Sequence, residues 1–141
     1  MNGLLQITND RLEGFKNADT KMISSNPKLS DVYERMVTQA AEMRTDLANL
    51  IKEIGGELEN STSFAGDLHR SWIDLKNSLS MNRDEAALES VVFGETAAMK
   101  AYEKVLEKGN LSEKSSIVIK NQLDIIKDSV DKFKYLQEEK S

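Results

Sequence analysis

The residues best placed to do chemistry are acidic side chains on, or at the edge of, apolar stripes of helical spacing. Glu95 is the clearest case, because apolar residues surround it at helical intervals, namely Leu88, Val91, Val92, Ala98, Met99 and Tyr102. At about 100° per residue, this pattern directs the Glu95 side chain into a helical core. On a second stripe, Asp46 falls at the edge, and Glu42, one turn earlier, lies further round the helix. Inward carboxylates on bundle helices are the residues that bridge paired metal ions.

A dinuclear metal centre in a four-helix bundle also demands histidines. It takes a carboxylate from each of two helices and a Glu-x-x-His pair from each of the other two. The chain has a single histidine, His69, which lies outside the four long stripes of the sequence. Three residues after Gln39 comes Glu42, and three after Gln122 comes Ile125. The ligand set is therefore incomplete, and neither a metal nor another cofactor is expected.

A polar network is the alternative interpretation of the same layer. Arg11, Gln39, Glu95 and Gln122 are expected near one level of the bundle. A guanidinium there opposes metal binding, and it can neutralise a carboxylate that would be costly to bury alone. Such a network could fix the helix register, as polar core residues do in coiled coils. Two other interpretations remain open besides the polar network. In one, Glu95 is only half-buried; in the other, Glu95, Glu42 and Asp46 are oxygen ligands of a divergent metal site.

Four long apolar stripes predict the helices that position these residues. They cover about 3–24, 28–54, 84–108 and 112–136, and no strand is expected between them. Pro27, the only proline, gives a stop-and-restart signal between the first two helices. Gly55-Gly56 ends the second helix, because glycine accepts the left-handed conformation of a helix C-terminus.

The long connection from Gly55 to Arg83 determines the predicted topology. Most of this connection is predicted to form a further helix at about 63–80. At ~17 residues, such a helix spans roughly 25 Å, close to the length of a bundle. The chain can therefore return to the opposite end before the third long helix begins. We expect one all-α domain over 1–141, a ferritin-like up-down-down-up four-helix bundle with an additional helix in the crossover.

Three residues on the predicted crossover helix are candidates for docking it on the bundle. Trp72 is most simply an apolar anchor, although an aromatic contact at an oligomer interface is the other interpretation. His69 and Asp74 are expected to make hydrogen bonds that tie the crossover to the bundle. No serine or cysteine nucleophile in a recognisable motif accompanies His69, so catalysis is not expected there.

Composition narrows the classes of function. The chain has 141 residues, no cysteine and a formal net charge of −5. An acidic chain without a basic patch is a poor match for nucleic acid. The first residues lack the basic start and apolar run of a signal peptide, and no window reaches the ~20 apolar residues of a membrane span. We therefore expect a cytoplasmic protein that binds neither nucleic acid nor membrane.

Several segments resemble a family of bacterial ferritin-like four-helix-bundle proteins of unknown function. The most specific is Leu68-His69-Arg70-x-Trp72-x-Asp74-Leu75-Lys76, and the others are Gly55-Gly56, Phe64 to Asp67, Gly94-Glu95 and Ala101-Tyr102. The resemblance runs from about Leu4 to Leu136. It implies the fold and a bacterial origin, and it implies no activity.

The function expected from these patterns is that of a non-catalytic helical bundle acting through protein contacts, with a homodimer as the expected assembly. The absence of inward histidines favours this over the alternative, a divergent metal-binding or redox protein that uses core carboxylates. A small-molecule carrier with its ligand between the helices is a third possibility.

Overall fold

The computed structural model describes residues 2–22, 27–53, 55, 73–74, 77, 84–109 and 111–140, and this part of the chain is helical, without strands. Four long helices form it: α1 (Asn2–Met22), α2 (Pro27–Glu53), α3 (Asp84–Glu107) and α4 (Glu113–Lys140). The last helix continues four residues beyond the end predicted at 136. Most of the predicted crossover helix lies outside the described residues. None of the described helices is long and apolar enough to cross a membrane.

Local sequence accounts for the ends of these helices. Gly55 follows α2 with a φ of 81°, and Gly109 follows α3 with a φ of 67°. Both glycines adopt the left-handed conformation that other residues avoid. The Gly55 N–H donates to the Lys52 carbonyl at 3.1 Å and so closes the last turn of α2. Ser112 caps α4, because its Oγ accepts from the Ser115 N–H at 3.2 Å.

Side-chain contacts give the relative directions of α1 and α3. Thr8 lies 3.3 Å from the hydroxyl of Tyr102, and Arg11 lies 2.7 Å from Glu95. The contact position advances by three residues on α1 while it retreats by seven on α3, so the two helices run antiparallel.

The contacts between α2 and α4 show the same reversal. The pairs are Glu53 with Lys114, Met43 with Gln122 and Met36 with Ser129. Between α1 and α2, the contacts of Arg11 with Met43 and of Phe15 with Tyr33 are reversed as well. Since α1 packs mainly on α2 and α3 mainly on α4, each helix has two antiparallel neighbours. These directions are compatible with the up-down-down-up order expected from the long crossover.

The core consists of apolar stripes with an aromatic group toward one end. The Phe15 and Phe133 rings stack at 5.9 Å, and Tyr33 lies 5.8 Å from Phe133 and 6.3 Å from Phe15. Three of the four helices contribute to this group. Arg11 lies one turn before Phe15, so the aromatic group borders the polar layer that Arg11 begins.

Candidate functional site

An ion pair between α1 and α3 lies at the centre of the described structure. Arg11 donates from Nε to Glu95 Oε1 at 2.7 Å and from Nη2 to Glu95 Oε2 at 2.9 Å. Both side chains are fully buried, with 0% of their surface exposed. The two parallel hydrogen bonds are the bidentate geometry in which an arginine neutralises a carboxylate best.

The rest of the guanidinium is also held by neighbours. Its Nη1 lies 3.3 Å from the Met43 sulfur on α2, and its central carbon lies 5.6 Å from the centre of the Phe15 ring. Burial on its own lowers the pKa of Arg11, but the charge of Glu95 and its hydrogen bonds raise that pKa by more, so it stands above its usual value. Arg11 is therefore a permanent cation of the core.

A second set of hydrogen bonds joins α3, α4 and α2 beside the ion pair. The Tyr102 hydroxyl donates to Gln122 Oε1 at 2.6 Å. Gln122 Nε2 donates to the Met43 carbonyl at 3.0 Å. Because a carbonyl can only accept, this contact fixes the orientation of the Gln122 amide group. With Arg11 and Glu95, this polar layer contains residues from all four helices.

The hydroxyl groups of Thr8 and Tyr102 each donate their single proton to another partner. Thr8 donates to the Leu4 carbonyl at 2.8 Å, and Tyr102 donates to Gln122. Each hydroxyl has only one proton, so no proton remains for the longer contact of 3.3 Å between Thr8 and Tyr102. Burial raises the pKa of Tyr102 to about 12, against a partial lowering by Thr8 and Arg11, which keeps this donor protonated at neutral pH.

The four residues predicted to share a network are only partly brought together. Arg11 and Glu95 are in direct contact, and Gln122 is linked to them through Met43, which contacts both Arg11 and Gln122. Gln39 does not join them: its Oε1 is buried, and no donor among the described residues reaches it. The reason is its level, because Gln39 precedes Met43 by one helical turn, about 6 Å along α2.

Gln39 lies instead in the α2–α4 cleft, an open groove of about 240 Å³ between α2 and α4 that Glu42 and Asp46 also line. Both of these carboxylates are exposed, whereas Glu95 is buried against Arg11. The predicted alternative ligand set is therefore spread over two environments.

The residues present do not fit a di-metal centre at the level of Glu95. Arg11 occupies both oxygens of this carboxylate, and a metal ion would have to displace a fixed positive charge. Within the described ranges, no group of three or more histidine, cysteine or acidic side chains is arranged to hold a metal ion. The chemistry that this layer supports is internal neutralisation and hydrogen bonding.

The crossover candidates are described only in part. His69 and Trp72 lie outside the described residues, so their predicted docking contacts stay predictions. Asp74 is described as helical and exposed, as is the neighbouring Ile73, of which 45% of the surface is accessible.

Two participants in the polar layer were missed by sequence reasoning. These are Tyr102, which was placed on the apolar stripe of α3 without a polar role, and Met43 on α2. For Tyr102 a signal existed, since it follows Glu95 by two helical turns on the same face. For Met43 no signal existed, because it acts through its backbone carbonyl and its sulfur.

A separate surface lies on the outer side of α3. Phe93 is 54% exposed, and it lines a cleft of about 530 Å³ together with Val92, Thr96 and Ala97 of α3 and Gln137 of α4. Glu89 and Lys100 stand at its two ends along the helix. We call this surface the outer α3 cleft.

Comparison with known proteins identifies a family without assigning an activity. A family model described as a domain of unknown function, DUF2383, matches residues 1–108. This range includes α1, α2 and α3, and with them Arg11, Met43, Glu95 and Tyr102. No curated protein matches the chain, and no solved structure matches it. Because the family model covers most of the sequence, the chain belongs to the DUF2383 family.

Proposed function

We propose that this chain is a ferritin-like up-down-down-up bundle that acts by contacting other protein surfaces and not by catalysis. The observation that supports this most is the bidentate contact of Arg11 with Glu95 at 2.7 and 2.9 Å, with both side chains fully buried. At the level where such bundles hold metal ions, this chain supplies its own cation.

The charges and hydrogen bonds of the polar layer support the proposal. A carboxylate and a guanidinium in contact are neutral together, and Tyr102, Gln122 and the Met43 carbonyl hydrogen-bond to one another. A reactive centre usually keeps an open coordination position or a titratable group facing a cavity. In the polar layer, Arg11 occupies both oxygens of the Glu95 carboxylate.

The outer surface supports action through protein contacts. Phe93 on α3 and Ile117 and Tyr135 on α4 are each more than half exposed, at 54%, 52% and 60%. Single exposed apolar residues are ordinary, but an aromatic side chain beside a concave apolar surface is typical of contact sites. Of these three residues, Phe93 lines the outer α3 cleft.

Elemental analysis of protein purified without chelator tests the proposal. We expect no stoichiometric iron, manganese or zinc in the wild type. Glu95→Gln is the informative variant, and Glu107→Gln, at an exposed position on the same helix, is its matched control. Stoichiometric metal that is lost in Glu95→Gln and kept in the control would overturn the proposal.

The same measurement separates the alternative based on the cleft carboxylates. If metal were present, lost in Glu42→Gln or Asp46→Asn, and kept in Glu95→Gln, then the α2–α4 cleft would be the binding site. That outcome would also refute a bundle without metal chemistry, while leaving the role of the Arg11 pair intact.

A further inference from the structure

The outward face of α3 carries four residues in one straight stripe. Glu89, Phe93, Thr96 and Lys100 follow one another at intervals of four, three and four residues, which places them on the same side of a helix. Glu89, Phe93 and Lys100 are exposed, and Thr96 is half-buried. The stripe is therefore an accessible row of side chains with an aromatic residue near its middle.

The charges at its two ends are opposite. Glu89 and Lys100 are about 16.5 Å apart along the helix axis, too far to pair with each other. Within the described part of the chain, neither forms an ion pair or a side-chain hydrogen bond. A surface with acid at one end and base at the other is complementary to itself when one copy is turned by 180°.

We propose that the outer α3 cleft binds a second copy of this chain, with the two α3 helices antiparallel about a two-fold axis. This inference rests on the proposed function and names its partner. The axis passes between the two α3 helices, level with the midpoint of Glu89 and Lys100 and close to Phe93 and Thr96. Each Glu89 then faces Lys100 of the other copy.

The apolar centre of the stripe supplies the remaining complementarity. Beside Phe93, the cleft is lined by Val92 and Ala97, which are half-buried and of small or moderate size. The Phe93 ring of one copy packs into the cleft of the other, as an aromatic anchor fills a pocket at an interface. Gly94 and Glu95 are buried within the bundle at this level, so they do not obstruct the approach.

The mass of the full chain in solution is the first test. Sedimentation equilibrium should show a reversible dimer at concentrations up to about 0.1 mM. Phe93→Glu should weaken association on the order of a hundredfold, because it places a charge in an apolar interface centre. Ile117→Glu is the matched control: Ile117 is similarly exposed, at 52%, but lies outside the cleft, and the variant should dimerise as the wild type does.

A charge exchange tests the antiparallel geometry. Glu89→Lys should weaken the dimer on the order of tenfold at low salt, because it opposes Lys100 of the other copy. Glu89→Lys/Lys100→Glu should restore wild-type association, since opposite charges face each other again. Within one chain the two positions are too far apart to explain such a rescue. A double variant as weak as the single one would overturn the antiparallel arrangement.

A wild type that stays monomeric throughout this range would overturn the proposal. If, in addition, Phe93→Glu lowered the melting temperature of that monomer, the cleft would be covered by the chain itself. These failures are distinct from a failure of the proposed function, which is measured by metal content. A monomer without metal refutes only the self-contact, and a dimer with stoichiometric metal lost in Glu95→Gln refutes only the bundle without metal chemistry.

Discussion

The α1·α3 and α2·α4 contacts lie on opposite sides of the bundle and are built differently. Between α1 and α3, Arg11 and Glu95 are fully buried and joined by two short hydrogen bonds. Between α2 and α4, the acidic residues Glu42 and Asp46 line an open cleft and stay exposed. The two contacts thus place their carboxylates in different environments: Glu95 is buried against a cation, whereas Glu42 and Asp46 stay in water.

The difference shows what determines whether a carboxylate in a helical bundle is buried or stays exposed. An isolated buried charge is so costly that a partner must be present or the group must stay in water. Arg11 meets the first condition for Glu95, and the cleft meets the second for Glu42 and Asp46. Four variants can break or sharpen this comparison.

The largest effect is expected for Glu95→Ala. The change leaves the Arg11 guanidinium buried without its counter-charge, so the free energy of unfolding should fall by about 3–5 kcal/mol. Chemical denaturation with Glu42→Ala as the control measures the difference between the two sides. A Glu95→Ala protein that unfolds at the same denaturant concentration as the wild type would contradict the account.

The second-largest effect is expected at alkaline pH, where ionisation of Tyr102 should lower the free energy of unfolding. Burial raises the folded-state pKa of this residue to about 12, whereas the unfolded chain ionises near its ordinary value of about 10. The unfolded state therefore loses its proton first, and the stabilisation by this group is complete below about pH 10 and is lost as pH rises through about 12. The loss amounts to about 2–3 kcal/mol.

Tyr102→Phe provides the comparison for that measurement. The variant should be about 1 kcal/mol less stable at neutral pH, because Gln122 loses a hydrogen-bond donor. Its unfolding free energy should then fall less than that of the wild type as the pH is raised. Parallel curves for the two proteins would show that Tyr102 is not buried as described.

Gln122→Leu should have a smaller effect of about 1–2 kcal/mol. It removes the acceptor of the Tyr102 hydroxyl and the donor to the Met43 carbonyl, while the apolar side chain still fills space. Gln39→Leu is the matched control, because Gln39 Oε1 accepts no hydrogen bond from the described residues. Equal losses in thermal melts would mean that Gln122 has no special part in the polar layer.

The smallest effect is expected for Lys114→Ala at the end of the α2–α4 cleft. Lys114 Nζ lies 2.6 Å from Glu53 Oε2, but their side chains are 69% and 52% exposed. An ion pair in water is worth only about 0–1 kcal/mol, so the melting temperature should hardly change. A loss comparable with that of Glu95→Ala would remove the contrast between the two sides.

Sequence patterns were sufficient for the four long helices and for the direction of their core residues. The stripe around Glu95 indicated that this carboxylate points inward, and it is fully buried. Arg11 was placed at the same level from its depth in α1, and the two residues are in contact. These inferences rest on helical phase and rise, which are nearly constant from one helix to another.

What the sequence did not supply depends on distances across the bundle. Gln39 and Met43 share one face of α2, and a shift of one turn decides which of them meets Arg11. Hydrogen bonds of the Tyr102 hydroxyl and of the Met43 carbonyl depend on side-chain reach and on the packing of α3 against α4. No periodicity within one helix contains that information.

A double-mutant cycle on Arg11→Met and Glu95→Leu tests the central claim most directly. Each single variant should lose about 3–5 kcal/mol, because it leaves one charge buried alone, and the double variant should be within about 1 kcal/mol of the wild type. A large coupling energy would show that each residue is needed to neutralise the other. Additive losses, with coupling below about 0.5 kcal/mol, would show that Glu95 is compensated by something other than Arg11.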